Sequence, residues 1–239
     1  MELKNNIRQG KIHMNTNGSI MEIVNYRNSR DVDILITTEH SDGKIYKYIA
    51  KHRTYNSFLT KSIKSPYDIS ICDIAYVGEG TYNSNDDVYI VYLSMIRRSL
   101  MTKCKSDICK EWTNFQTFAS WYENSSYYVE NEDLIMYRLN PYKREYSPDN
   151  YILIPSNIAK SIQCYLNNKS KKAKIVTNKY INMIHENRRV IYYKSFDSKK
   201  EAETNYNMAK YNIIFNLIIK YKDIIPEDIY HKLIINIRV

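Results

Sequence analysis

Three short runs near the start of the chain carry strand-type patterning. Ile20 to Tyr26, Val32 to Thr38 and Lys44 to Ala50 are rich in β-branched and aromatic residues. In the second run Val32, Ile34 and Ile36 alternate with Asp33, Leu35 and Thr37, the period of a strand with one buried face. Asn28-Ser29-Arg30-Asp31 and Ser41-Asp42-Gly43 separate the runs with hairpin-turn chemistry. These features predict a small β meander or barrel. The segment KSPYDISICDIAYVGEGTY follows, and its Pro66, Gly78 and Gly80 read as a linker and a turn.

The period then changes to that of helices. Tyr89, Tyr92, Leu93, Ile96 and Leu100 recur at helical spacing after Ser84-Asn85-Asp86-Asp87, where Asp86 and Asp87 read as caps. Phe115, Phe118, Ala119 and Tyr122 mark a second helix. Tyr146 to Asn150 reads as a turn, and Tyr151, Leu153 and Ile154 as a strand. Ser156 opens a helix that turns Ile158, Ala159, Ile162 and Leu166 inward. Trp112, Phe115, Phe118 and Trp121 are expected in the core rather than as exposed stacking platforms.

After the basic stretch Asn167 to Lys172, two strand-type runs return, Lys179 to His185 and Val190 to Phe196, joined through Glu186-Asn187-Arg188-Arg189. Ser198 and Glu201 form a capping box. Ala202, Tyr206, Ala209, Ile213 and Leu217 define one face of the long helix that follows. Pro226 starts a last helix, with Glu227 and Asp228 in its first turn, where the macrodipole favours acids. The predicted fold class is α+β. A β module spans residues 1–70, a helical or ββα module 71–166, and a three-stranded sheet with helices 167–239.

Charge sharpens this division. The chain has 239 residues and a net charge of +9. Residues 1–70 carry 11 basic and 7 acidic side chains, residues 71–166 carry 9 and 12, and residues 167–239 carry 15 and 7. The cationic excess sits at the two ends, which favours an anionic partner and disfavours a nucleic-acid mimic. No apolar run approaches the roughly 18–20 residues of a membrane span, and the first residues lack a signal-peptide pattern. A cytoplasmic protein with no membrane partner is expected. Cys72, Cys104, Cys109 and Cys164 are too few and scattered for a disulfide framework, and no CxxC pair points to zinc.

Candidate chemistry follows from the same division. Lys169, Lys171, Lys172, Lys174, Lys179, Arg188, Arg189 and Lys194 cluster around the C-terminal sheet, where cations neutralise phosphates and release counterions. Lys179, Asn182 and Arg188 are expected to reach base edges, because a sheet is one way to enter a groove. The five histidines, His13, His40, His52, His185 and His231, all lie outside the central module. Glu130, Glu132 and Asp133 form an acidic loop there. Phosphodiester hydrolysis needs an activated water and oxygen or imidazole ligands for a metal; the centre has no histidine, and its acids read as helix caps at Asp86 and Asp87 and as a solvated loop at Glu130, Glu132 and Asp133.

Several longer stretches carry a family resemblance. VGEGTY (Val77 to Tyr82), VYIVYLSMIRRSL (Val88 to Leu100), CKEWTNFQTFASWYE (Cys109 to Glu123) and YSPDNYILIPSNI (Tyr146 to Ile158) resemble bacteriophage HNH-endonuclease-like proteins. The run Arg53 to Asp68 resembles the segment before their central motif. Lys179 to Ile214 and Lys220 to Ile234 resemble the DNA-binding domain of the Apetala/ethylene-response-factor type in which such proteins commonly end, without its glycine between strands. The resemblance implies an HNH-like centre and DNA as partner. The family's stretch L-D-K-D-I, then G-N-K, stands before YSP. Here its two acidic positions fall on Ile135 and Tyr137, and its asparagine on Lys143. Its arginine-cysteine-tyrosine is Arg98-Ser99-Leu100. Asp149 and Asn150 remain as candidate ligands, joined by Asp133 if the site is rearranged.

The expectation is therefore a phage or mobile-element DNA-binding protein on a nuclease-derived, non-cleaving scaffold that needs no cofactor. Two alternatives stand beside it. One is an active endonuclease with a divalent metal at Asp133, Asp149 and Asn150. The other is an inhibitor of a host defence protein or nucleoprotein complex.

Overall fold

The computed structural model describes residues 7–101, 106–167, 174–176, 179–186 and 189–236. The chain is mixed α+β. It divides into two compact units, Met1–Glu123 with Arg144–Ser147, and Asn124–Lys143 with Pro148–Val239.

The first unit opens with β1 (Ile12–Met14), β2 (Ile20–Asn28), β3 (Asp31–Glu39) and β4 (Ile45–Arg53). They pair antiparallel in sequence order, an open meander. At the β2–β3 turn the Asn28 side chain accepts the Arg30 N–H, and at the β3–β4 turn Asp42 accepts that of Lys44, beside Gly43 at φ +77°. Alternation decides the faces. Met21, Ile23, Val32, Ile34, Ile36 and Ala50 are buried on one side against Phe58 of α1 (Tyr55–Leu59). Ile20, Ile45 and Ile49 are exposed on the other.

The segment expected as a linker is packed. Asp68 is 1% exposed, and its carboxylate accepts from the Asn15 amide, the Ser19 hydroxyl and the Ser65 N–H. The charge is held by hydrogen bonds, so its burial is tolerated. The two glycines permit close approach rather than flexibility. A Cβ at Gly78 would stand 2.2 Å from Asn114 Oδ1, and one at Gly80 2.1 Å from Gln116 Oε1. The Gln116 side chain bonds both the N–H and the carbonyl of Tyr82, pinning this segment to the start of a helix.

That helix is α3 (Phe115–Ser125), preceded by α2 (Asp87–Leu100), β5 (Asp107–Ile108) and a 3-10 turn at Lys110–Thr113. Val88, Tyr92, Met95, Ile96 and Ser99 of α2 are buried. Leu100, expected inside, is exposed because the buried stripe runs through Ser99 instead. Asp86 stands at the N-cap but makes no capping bond, and its carboxylate accepts from the N–H and amide of Asn83. Trp112, Phe115 and Phe118 are core residues, as their spacing predicts, whereas Trp121 is half-buried.

In the second unit β6 (Leu134–Arg138) pairs antiparallel with β8 (Tyr151–Pro155), and every residue of β8 is buried. β7 (Glu145–Tyr146) lies between them in sequence and pairs with β5 in the first unit. α4 (Ser156–Asn167) follows, with Ile158, Ala159 and Ile162 inward. Then come β9 (Lys174–Val176), β10 (Lys179–Glu186), β11 (Arg189–Phe196), α5 (Lys199–Lys220) and α6 (Glu227–Asn236). Ser198 caps α5 by accepting the Glu201 N–H at 3.1 Å. One apolar cluster joins Ile152, Ile154 and Ile158 to Ile184, Ile214, Ile229 and Leu233, so this core crosses residue 166. The buried stripe of α5 is Ala202, Tyr206, Lys210, Ile214 and Ile218. It departs from the expected face after Tyr206, where Lys210 takes the place expected of Ala209.

Candidate nucleic-acid interface

The C-terminal sheet has the order β11-β10-β9. Asn182 pairs with Lys194, Met183 with Tyr193 and Ile184 with Tyr192, with an irregularity between Ile184 and His185. α5 contacts β10 and β11. The strand period therefore gives the sheet two distinct faces. Asn182, Ile184 and Phe196 are buried on the helix side, with Tyr192 half-buried beside them. Ile181, Met183, Tyr193 and Ser195 alternate with these. Ile181 and Met183 are half-buried, Ser195 is exposed, and Tyr193 is 62% exposed.

The side chains expected to meet DNA divide accordingly. Asn182 does not reach solvent. It is 5% exposed, and its amide donates to the Ala202 carbonyl at the start of α5. It ties helix to sheet, which corrects the expectation that it reads base edges. Lys179 is exposed, 3.6 Å from Asp197. Lys194 is exposed with its ammonium 5.4 Å from the Phe196 ring centre, and Arg189 is exposed at the first position of β11. Lys174 opens β9 opposite Ile181. Lys171, Lys172 and Arg188 lie outside the described residues. The sequence reading missed Tyr193. Its position was available from the alternation that turns Tyr192 and Phe196 inward.

The candidate ligands of the central region stand differently. Asp133 and Asp149 are exposed. Asn150 is buried and engaged at both ends of its amide. Nδ2 donates to the Lys143 carbonyl at 2.9 Å, and Oδ1 accepts the Asn140 N–H at 3.1 Å. Its own carbonyl accepts the Leu139 N–H at 2.9 Å. Asn150 thus closes the connection between β6 and β8. Ile135 and Tyr137 lie on β6, where burial pushes the Tyr137 phenol up from its usual pKa.

Among the described residues, one group brings three potential metal ligands together: Asp31, Asp33 and His52. A cation already occupies it. The Arg27 guanidinium lies 2.7 Å from a carboxylate oxygen of each aspartate. It holds both carboxyls below their usual range and is itself raised by them. A metal would have to displace a bidentate partner. Asp133 and Asp149 belong to no such group among the described residues.

No protein-family model, curated protein or solved structure matches the chain. Among the described residues, no helix is long and apolar enough to cross a membrane.

Proposed function

We propose that the chain is a DNA-binding protein on a nuclease-derived, non-cleaving scaffold of phage or mobile-element origin, acting in a bacterial cytoplasm. The observation that carries the reading is the two-sided C-terminal sheet. α5 packs on one face, the other presents Tyr193 and Ser195 to solvent, and Lys179, Arg189 and Lys194 are exposed on the same strands. The exposed aromatic suits contact with bases and the cations on the same strands suit contact with phosphates, although the register puts Lys194 on the side of Asn182 rather than of Tyr193. The reading of the centre as non-cleaving draws on Asn150, whose amide is spent within the fold; the one set of potential ligands gathered among the described residues lies on the N-terminal strands and is already neutralised by Arg27.

A duplex binding assay tests this. Tyr193→Ala and Arg189→Ala each weaken binding at low salt, and magnesium or manganese produces no nicking of plasmid DNA. Metal-dependent nicking abolished by Asp149→Ala would select the endonuclease reading instead.

A second reading has its own support. Ile12, Met14, Ile20, Ile45 and Ile49 are exposed on the N-terminal strands, and apolar groups gathered on one surface mark protein contacts. A protein that docks on a host defence complex would use that face. Capture of such a complex that survives nuclease and high salt, and is lost in Ile49→Glu, separates this reading from DNA binding.

A further inference from the structure

A cavity of about 280 Å³ opens in the first unit. The β3–β4 turn supplies His40, Asp42, Lys44 and Tyr46 to its wall, and Tyr76 stands beside them. The 3-10 turn and the start of α3 supply Lys110, Glu111, Asn114 and Thr117. None of these residues belongs to the C-terminal sheet.

The wall is built rather than incidental. Tyr67, outside the cavity, stacks on the Tyr46 ring at 4.5 Å and 15°, backing it. His40 packs at 4.7 Å from Tyr46 and 4.6 Å from Tyr76. Its Nε2 lies 2.7 Å from the Tyr67 carbonyl and donates to it, which fixes the ring in place. The Tyr46 and Tyr76 hydroxyls are 3.3 Å apart. Burial pushes the Tyr76 phenol up, and burial with Glu79 pushes Tyr67 up to about 12, so both are donors at neutral pH. Gly78, which admits no Cβ, lets the chain close against Asn114.

The chemistry of the wall narrows the occupant. Three rings accept a flat group by stacking or edge contact. The Asn114 Nδ2 and the Thr117 hydroxyl can pair with ring heteroatoms, the Asn114 Oδ1 already accepting the Gln116 N–H. The Lys44 ammonium makes no ion pair among the described residues, while Lys110 is held 2.6 Å from Asp42. A flat heterocycle joined to an anion satisfies all three features. Asp42 and Glu111 offset the two lysines, so the wall tolerates one phosphate better than two or three. The volume, about 280 Å³, falls just below the roughly 300–1,000 Å³ of small-molecule sites, so the occupant is no larger than one nucleotide.

We propose that this cavity binds a single nucleotide, with the base laid against the aromatic wall of Tyr46, Tyr76 and His40 and the phosphate at Lys44. The nucleotide is either free or a residue of a single strand. The site is independent of the duplex interface on the C-terminal sheet, so either can fail alone.

Calorimetric titration of the full chain tests it, with adenosine and thymidine 5′-monophosphates, the two nucleosides and inorganic phosphate as probes. At least one monophosphate is expected to bind tenfold or more tighter than its nucleoside and than inorganic phosphate. Lys44→Ala, an exposed position, weakens that monophosphate at least fivefold, and Thr117→Val weakens it without unfolding the chain. Competition by a short oligothymidine places the nucleotide in a strand, and absence of competition leaves the free nucleotide. Both outcomes uphold the site. No saturable binding of either monophosphate, equal binding of inorganic phosphate, or wild-type affinity in Lys44→Ala overturns it.

Discussion

Asn150 and Asn182 show how a side chain that reads as functional can be spent within the fold. Each places its amide against backbone groups, Asn150 on Asn140 and Lys143, Asn182 on Ala202. Asn150→Ala leaves a backbone N–H and a carbonyl without that partner, at a cost of about 1–3 kcal/mol, read by denaturant unfolding. Single-residue chemistry cannot foretell this, because an asparagine beside YSP is equally a ligand or a turn bracket until its partners are known. Arg27 is a second case at this scale. It depresses Asp31 and Asp33, so the ion pairs contribute fully above the ordinary carboxylate pKa near 4. Their contribution falls away as pH drops below that value and the carboxylates protonate. Carbon-detected NMR titration of Asp33 should show its pKa rising toward the ordinary value in Arg27→Ala. An unchanged pKa would remove Arg27 as the cause.

The elements with a clear period were legible. β3 alternates as its sequence does, α3 buries Phe115, Phe118 and Ala119, and Ser198 caps α5. What was not legible lacks a period. The segment from Lys64 to Tyr82 has proline and glycine and reads as a linker, yet it is held by Asp68 and by the fit of Gly78 and Gly80 against α3. These are contacts between residues far apart in sequence, which local patterning does not encode. The contrast between two glycines measures them. Gly10 and Gly78 both have positive φ, so alanine strains the backbone by about 1 kcal/mol at either. Only Gly78→Ala also drives a Cβ into Asn114, whereas nothing lies within 4 Å at Gly10. Gly78→Ala should therefore lower the melting temperature more, as read by calorimetry. An equal effect would mean that Asn114 moves aside freely. The face of α5 was half legible, since an apolar pattern cannot anticipate Lys210, whose ammonium sits 4.8 Å from the Tyr206 ring centre and whose pKa burial lowers.

Across the whole molecule, the +9 charge is concentrated at the two ends of the sequence. Of the C-terminal cations, Lys179, Arg189 and Lys194 are exposed on strands whose sheet leaves one face open. On the proposed reading, the cations supply long-range attraction to a polyanion and Tyr193 supplies short-range contact from the open face. The two contributions separate experimentally, because phosphate contacts respond to salt while stacking and groove contacts respond weakly. Tyr193→Ala should weaken binding with little change in salt slope. Arg189→Ala should weaken binding and flatten the slope.

The most direct test is fluorescence anisotropy of a labelled duplex with the full chain over a range of salt concentrations. The account predicts saturable binding whose log affinity falls linearly with log salt, and a slope about one unit shallower when Arg189→Ala removes a phosphate contact. No binding at low salt, or an affinity indifferent to salt, would contradict it.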